Sequence, residues 1–423
     1  MGSCFAHLAV PCAFICSLST SVFAAHSGPD FNGDGYADLA VGMPNESAVP
    51  GIANSGFVHV VYGSNAGIST SDRQLWNQDS DGIPESVQTN DRFGAAVTWG
   101  DFNGDGYDDL AVGAPGESVS GVQRAGCVNV FYGSASGLTS SNAQVWHQNS
   151  SGIKDSAQTD DQFGSALMAG DFDGDGFADL AIGVPNEKVN KLAGAGAVNV
   201  IYGSASGLAK SGNQYWHLKS SGVLGAPALN GHFGAALDAN DFNGDGYADL
   251  VVASSGTQSI NILFGGASGL SASGDQLFTL DTDGIPGVGN VNNAWGYSLA
   301  SGDFDADGYA DLAIGSPGYL TTQGAVTLVY GSAQGLTTTG ARLIRQSVIA
   351  NDEVSEITDY FGWSVAAGDV NNDGFDDLII GVPVESLDVV LFAGCVHVIS
   401  GGPLGLESKE TIMLIQPASD SGV

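Results

Sequence analysis

Six copies of one nine-residue segment carry oxygen-bearing side chains at positions 1, 3, 5 and 9 and a glycine at position 6. The first copy reads D-F-N-G-D-G-Y-A-D from Asp30, and the others begin at Asp101, Asp171, Asp241, Asp303 and Asp369. Calcium is a hard cation that takes six to eight oxygen ligands, and a glycine within a tight turn permits the bend that aims them inward. The spacing therefore predicts a calcium site in each copy, named loops 1 to 6 in chain order.

In each loop the predicted ligands are four side chains and the main-chain carbonyl of the seventh residue. They are Asp30, Asn32, Asp34, Tyr36 and Asp38 in loop 1; Asp101, Asn103, Asp105, Tyr107 and Asp109 in loop 2; Asp171, Asp173, Asp175, Phe177 and Asp179 in loop 3; Asp241, Asn243, Asp245, Tyr247 and Asp249 in loop 4; Asp303, Asp305, Asp307, Tyr309 and Asp311 in loop 5; and Asp369, Asn371, Asp373, Phe375 and Asp377 in loop 6. Carboxylates this close repel one another by about 4 kcal/mol per pair at ~4 Å and an effective dielectric constant near ~20. Without a cation, each turn is expected to open.

The residues after each loop predict a strand. A helix–loop–helix calcium site requires an acidic ligand at position 12, but this position is Val or Ile in all six loops, from Val41 to Ile380. The ninth residue is always followed by Leu, which opens an apolar run such as residues 39–42. Such a run is typical of a buried strand.

The loops recur at intervals of 71, 70, 70, 62 and 66 residues, and other signals recur with them. A Phe-Gly or Trp-Gly pair precedes loops 2 to 6, and a Gly-x-Pro turn follows every loop strand except the fourth. An alternating strand such as residues 58–62, a glycine-rich hairpin and a last strand complete each period. Four strands per period without a helical stretch predict an all-β fold, a β-propeller of four-stranded antiparallel blades with six recognisable repeats.

The Phe-Gly pairs, such as Phe93-Gly94, and the turns, such as Gly113 to Pro115, flank the loops in a pattern that resembles the FG-GAP repeat of integrin α-subunit propellers. The resemblance covers nearly the whole chain after residue 29. It implies calcium in the loops on one face of the propeller and ligand binding on the opposite face. It does not specify the partner, because this fold is reused for adhesion, for sugar binding and as an appendage to enzymes.

Two segments are predicted along the chain. Residues 1–25 are apolar and end in Val22-Phe23-Ala24-Ala25, which predicts a secretory signal, and residues 26–423 form the propeller, with repeats starting near 30, 93, 163, 233, 295 and 361. Family propellers generally have seven blades, and the first repeat here begins at its loop. An incomplete first blade, a C-terminal truncation and a replacement strand at residues 23–28 each explain this, and truncation is favoured.

Composition indicates an extracellular protein. The chain has 46 acidic and 11 basic residues, and six bound calcium ions would bring its net charge from −35 to −23. Such a field repels nucleic acid and anionic membranes, and no segment after the predicted signal is long and apolar enough to cross a bilayer. Cys127 and Cys395 belong to repeats two and six, which are not neighbours in a propeller, so we expect buried free thiols.

Two functional classes stay open. The favoured one is a secreted or cell-surface, monomeric, calcium-binding module for adhesion to a protein or carbohydrate ligand, with its site on residues 79–91, 114–126 and 149–161. The alternative is the propeller portion of an extracellular hydrolase or polysaccharide lyase, as in glycosylphosphatidylinositol-specific phospholipase D, where similar repeats accompany a catalytic domain. No serine nucleophile elbow, H-E-x-x-H, phosphate-binding loop or Cys/His pair is found. The sequence therefore predicts that the chain is not an enzyme.

Two repeated residue types have a structural and a functional interpretation. Trp76, Trp146 and Trp216 either stack on sugar rings or fill the space between blades, and their regular positions favour packing. Glu46, Glu117, Glu187 and Glu385 each lie 16 residues after the first Asp of a loop. These glutamates either line the ligand face or cap and solvate a turn, and the turn is favoured.

Overall fold

The computed structural model describes residues 28–68, 73–290, 292–349, 356–386, 393–406 and 411–415. The predicted secretory signal at residues 1–25 lies outside the described residues. Within them, nearly all regular structure is strand. The two helices are single turns, α1 at Tyr319–Thr322 and α2 at Gln346–Ile349, and α1 is irregular because Leu320 and Thr321 have positive φ. No helix in these ranges is long and apolar enough to cross a membrane.

The strands form six sheets whose neighbours follow chain order, and each sheet is one blade. Blade 1 contains β1 (Leu39–Gly42), β2 (Val58–Val61) and β3 (Arg73–Trp76); blade 2 contains β4 (Ala96–Gly100), β5 (Asp109–Ala114), β6 (Cys127–Tyr132) and β7 (Thr139–Trp146); blade 3 contains β8 (Ala166–Gly170), β9 (Asp179–Val184), β10 (Ala197–Tyr202) and β11 (Ala209–Trp216); blade 4 contains β12 (Phe233–Asn240), β13 (Asp249–Ser254), β14 (Ser259–Phe264) and β15 (Ser271–Thr279); blade 5 contains β16 (Leu299–Gly302), β17 (Asp311–Ser316), β18 (Ala325–Tyr330) and β19 (Thr337–Ile344); and blade 6 contains β20 (Ser364–Gly368), β21 (Asp377–Val382), β22 (Cys395–Ile399) and β23 (Thr411–Ile415).

All strand pairs within the blades are antiparallel. In blade 2, for example, Val112 of β5 pairs with Val97 of β4 on one side and with Asn129 of β6 on the other. Blades 2 to 6 have four strands each, and blade 1 has three among the described residues. The prediction of an all-β propeller with four-stranded antiparallel blades is confirmed, and the first repeat lacks a described strand before its loop.

The core lies between successive blades. One buried cluster joins Val128 and Phe102 of blade 2 to Phe163 and Leu180 of blade 3, and equivalent clusters join the other consecutive blades from blade 1 to blade 6. The first strands of blades 2 to 6 contact one another in sequence, β4 with β8 and so on to β20. Small residues allow this approach, because a Cβ atom on Gly100 would lie only 2.7 Å from the Cβ of Ala178 in the next blade. Packing between sheets therefore holds the blades together.

Candidate metal centres

Loop 3 shows how the local sequence bends the chain around its first aspartate. The Oδ1 atom of Asp171 accepts hydrogen bonds from the main-chain N–H groups of Gly174 at 2.7 Å and Asp175 at 3.1 Å, and Oδ2 accepts one from Gly176 at 3.0 Å. Gly174 and Gly176 have φ of +71° and +91°, a conformation that glycine adopts without strain. The bonds from positions 5 and 6 to the first carboxylate recur in the other five loops.

The predicted ligands at positions 3 and 5 are also held by the main chain of their own loop. In loop 3, Asp173 Oδ1 accepts a hydrogen bond from the N–H of Asp175 at 3.2 Å, and Asp175 Oδ1 accepts one from the N–H of Phe177 at 3.0 Å. The bond to position 5 occurs in all six loops. Each such bond holds a side-chain oxygen against the main chain of its own turn.

In two loops the carboxylates converge on one point. One oxygen each of Asp171, Asp173 and Asp179 lies within 4.8 Å of the others, and in loop 5 the same is true of Asp303, Asp305 and Asp307. Two oxygens bound to one calcium ion at about 2.3–2.6 Å can lie up to about 5 Å apart. These oxygen sets therefore fit a single hard cation.

The electrostatics of loop 3 favour a positive charge at the same point. Burial, followed by the negative charge of Asp175, raises the pKa of Asp173. Burial also raises the pKa of Asp171, with the charge of Asp175 contributing in the same direction. A bound cation would oppose both effects, because it stabilises the ionised carboxylates.

The aspartate at position 9 has a structural role that the spacing did not reveal. Asp179 is buried, and its two oxygens accept hydrogen bonds from the main-chain N–H groups of Phe172 and Gly203, both at 2.8 Å. The same two bonds occur in every loop. The ninth residue accepts one from the N–H at position 2 of its own loop and one from the first glycine of the hairpin that follows β2, β6, β10, β14, β18 or β22. Burial raises the pKa of Asp179 to about 8. This residue therefore joins two turns and also offers an oxygen to the candidate site.

Successive loops contact each other along one end of the blades. The main-chain N–H at position 8 of one loop donates to the carbonyl oxygen at position 1 of the preceding loop, as in Ala178 to Asp101 at 2.9 Å and Ala248 to Asp171 at 3.0 Å. The aromatic ring at position 7 packs over the preceding loop, because a Cβ atom on Gly104 would lie 2.5 Å from the ring of Phe177. The loops thus form a continuous series on one face.

Position 8 contributes side chains that sequence reasoning missed. Asp108 Oδ2 accepts a hydrogen bond from the N–H of Asp30 at 2.8 Å, and Asp376 Oδ2 accepts one from the N–H of Asp303 at 2.9 Å. Only loops 2 and 6 have an aspartate at this position. The doubled Asp-Asp at positions 8 and 9 was the available signal for these links between blades.

The repeated tryptophans and cysteines have structural positions. Trp76 of blade 1 packs against Phe131 of blade 2 with ring centroids 4.7 Å apart, and its Nε1 donates a hydrogen bond to Gln74 at 3.2 Å. Cys127 and Cys395 are both buried, as expected, and Cys127 is a free thiol. The tryptophan therefore fills space between blades.

The repeated glutamates lie at the blade end opposite the loops, in the turn after the second strand segment. Glu117, Glu187 and Glu385 are buried, whereas Glu46 is exposed. Glu117 and Glu187 cap their turns, because each accepts a hydrogen bond from the main-chain N–H group of the next residue. A solvated carboxylate is found only at Glu46 among these four. The sequence did not reveal the burial of the others, because the residues that cover them come from the preceding blade.

A series of antiparallel blades with an acidic loop at the same end of each defines a repeat-built β-propeller. The chain belongs to the FG-GAP repeat family, whose sequence profile matches residues 22–61, 93–128, 163–201, 233–266, 295–329 and 361–399. The predicted family is confirmed.

Relatives of the chain include two kinds of protein. It is 39% identical over 161 residues to phosphatidylinositol-glycan-specific phospholipase D of Bos taurus, a match that covers 38% of this chain and 18% of the relative. It is 36% identical over 159 residues to integrin alpha-PS3 of Drosophila melanogaster, covering 37% of this chain and 13% of the relative. The chain thus matches less than a fifth of the length of either relative. Among solved structures, the rhamnogalacturonan lyase YesW is similar with a TM-score of 0.42 and 12% identity, over 92% of this chain and 70% of that one.

The comparisons correct the prediction that the chain is not an enzyme. That prediction was based on the lack of a recognisable catalytic motif, but several relatives are named phospholipase D, which is an enzyme activity. A motif search detects residues that are close in sequence, whereas active sites are often assembled from distant segments. A non-enzymatic role is therefore not supported.

Proposed function

We propose that the chain is a calcium-dependent ligand-binding propeller in which each of the six loops holds one structural calcium ion. The observation that carries the proposal is the convergence of three carboxylate oxygens within 4.8 Å in loops 3 and 5. The other four loops have Asn at position 3 and the same hydrogen bonds around the first carboxylate. In each loop the side chains at positions 1, 3, 5 and 9 and the carbonyl of position 7 are the proposed ligands.

Calcium in these loops would act on the whole propeller. The loops are linked from blade to blade by hydrogen bonds such as that from Ala248 to Asp171. A cation that neutralises one loop therefore also stabilises its contact with the next blade. Extracellular calcium modules typically bind at about 10⁻⁴ to 10⁻³ M, which suits a secreted or cell-surface protein.

The ligand is proposed to be an extracellular protein or carbohydrate bound by a monomeric propeller at the face opposite the loops. Residues 79–91 and 149–161 connect consecutive blades at that face. The similarity to integrin alpha-PS3 supports this role, as does the acidic composition, which disfavours nucleic acid.

A second candidate is a propeller that belongs to, or assists, an extracellular hydrolase. The identity to phospholipase D of several organisms, up to 41% over 156 residues, favours it. In this case the same face would position a substrate or a catalytic domain in place of an adhesion partner.

An array of glycans and extracellular-matrix proteins distinguishes the candidates. Retention of the purified chain in millimolar calcium and its release by a chelator, with arrayed molecules recovered intact, supports the binding module. Cleavage products among the arrayed molecules support the second candidate. Retention that is unchanged by the chelator would contradict a calcium-dependent role.

A further inference from the structure

Three blade interfaces contain a buried glutamate that is hydrogen bonded to a glutamine of the preceding blade. Gln78 Nε2 of blade 1 donates to Glu117 Oε2 of blade 2 at 2.6 Å, and Gln148 Nε2 of blade 2 donates to Glu187 Oε2 of blade 3 at 2.6 Å. Gln346 and Glu385 make the same bond between blades 5 and 6. These pairs lie at the blade end opposite the loops, so they are separate from the candidate calcium sites described above.

A second carboxylate accompanies the glutamate between blades 1 and 2. Asp91 is 1% exposed and accepts a hydrogen bond from the main-chain N–H of Gln88. The side chain of Gln88 donates to Glu117 at 3.3 Å. Burial, followed by the negative charge of Asp91, raises the pKa of Glu117 to about 7. Two acidic groups therefore share one buried interface.

Two buried amide oxygens with no donor in the described ranges belong to the same pair of blades. Within the part of the chain that the structure describes, the side-chain oxygens of Gln78 and Asn129 accept no hydrogen bond, although both residues are fully buried. The amide nitrogen of Gln78 donates to Glu117, and the unsatisfied oxygen belongs to that same amide group. Asn129 Nδ2 lies 3.6 Å from Cys127 Sγ, and the negative charge of Glu117 contributes, after burial, to the raised pKa of that thiol.

The interface between blades 2 and 3 repeats the arrangement with different residues. Glu187 and Asp161 are the buried carboxylates, and the negative charge of Asp161 contributes, after burial, to a raised pKa of Glu187. The side-chain oxygens of Gln148 and Asn199 accept no hydrogen bond among the described residues. Leaving such an oxygen buried and unsatisfied costs about 1–3 kcal/mol, so each of these oxygens has the capacity to accept a further partner.

The chemistry of the cluster points to a positively charged ligand. Both interfaces contain two buried carboxylates and two buried amide oxygens to which no described residue donates, all of them oxygen acceptors, and hard cations prefer such ligands. We propose that the interfaces between blades 1 and 2 and between blades 2 and 3 each bind one hard divalent cation. Its ligands are the side-chain oxygens of Glu117, Asp91 and Gln78 in the first interface, and of Glu187, Asp161 and Gln148 in the second.

Two other interfaces provide a natural contrast. Leu218 and Leu280 occupy the position of Gln78, and Thr257 and Tyr319 occupy the position of Glu117. These two leucines and Tyr319 are buried. Between blades 4 and 5, the polar pair is thus replaced by Leu280 and Tyr319. The double variant Gln78→Leu/Glu117→Thr gives the first interface the residue pair found between blades 3 and 4.

The test is the position and number of bound cations in the full chain. Crystals grown with Mn²⁺ should give anomalous peaks beside Glu117 and Glu187 in addition to any peaks in the loops. Elemental analysis after dialysis against Mn²⁺ should show one ion fewer in Glu117→Gln and in Gln78→Leu/Glu117→Thr. The matched control Glu46→Gln changes the exposed glutamate of the first repeat and should keep the wild-type number.

Two results would overturn the proposal. One is a water molecule, without anomalous signal, beside the Gln78 side-chain oxygen. The other is an unchanged ion count in the folded double variant. Empty loops with occupied interfaces would instead contradict the proposed loop calcium and leave this inference standing.

Discussion

The two ends of each blade handle negative charge in different ways. At the loop end, Asp171, Asp173 and Asp175 are half-buried or exposed, and their hydrogen bonds come from the same nine residues. At the opposite end, Glu117 is 1% exposed and its partner Gln78 comes from another blade. The hydrogen bonds of the loop are therefore determined by a short stretch of sequence, whereas the hydrogen bond of Glu117 forms only when two blades pack together. Substitutions at the two ends should therefore lower the free energy of unfolding by different amounts.

The largest effect on the free energy of unfolding is expected at Asp179, the buried aspartate at position 9 of loop 3. Asp179→Ala removes the acceptor of two main-chain N–H groups, those of Phe172 and Gly203, and should lower the free energy of unfolding by about 4 kcal/mol. The loss should appear in urea unfolding both with calcium and with a chelator. The matched variant Asp173→Ala should cost less than about 1 kcal/mol in the chelator and more in calcium. Equal losses for both variants in the chelator would contradict the role assigned to position 9.

At the opposite end, Glu117→Ala should lower the free energy of unfolding by about 3 kcal/mol, because it leaves the buried amide of Gln78 without its acceptor. Glu46→Ala, at the same repeat position but exposed, should change it by less than about 0.5 kcal/mol. Chemical denaturation of the two variants in parallel measures the difference. If the two losses are alike, burial between blades is not what distinguishes these glutamates.

A smaller, pH-dependent effect is expected from His397 in blade 6. Burial lowers the pKa of His397 from 6.5 to about 4, so the unfolded state binds a proton that the folded state does not. The stabilisation that comes from the neutral, buried His397 is fully present above pH ~6.5. It is lost as the pH falls toward ~4, and the free energy of unfolding is lower by about 2 kcal/mol at pH ~5. His397→Asn introduces the residue that blade 2 has at the equivalent position, where Asn129 lies beside Cys127. It should remove the contribution of His397 to the pH dependence of the free energy of unfolding. Unfolding curves recorded between pH ~7 and ~5 in saturating calcium measure this dependence. An identical change of unfolding free energy with pH in the variant and the wild type would refute the prediction.

The same contrast explains what the sequence could predict. The loops, the strand that follows each loop and the six repeats depend on residues close in sequence, so spacing and alternation sufficed to predict them. The burial of Glu117 depends on Gln78, which lies 39 residues earlier in another blade, and no local pattern marks that contact. The double role of Asp179 was hidden for the same reason, since its second partner is Gly203. The enzyme prediction was wrong because the lack of a local motif says little about groups assembled from distant segments.

The central claim is that the acidic loops bind calcium and thereby stabilise the propeller. The most direct measurement is the melting temperature of the chain in excess chelator and during a subsequent calcium titration. Because each site that binds only the folded state adds about 2.7 kcal/mol at a calcium concentration about 100-fold above its Kd, the melting temperature should fall in chelator and rise continuously through the millimolar range. A melting temperature that is the same in chelator and in millimolar calcium would contradict the claim.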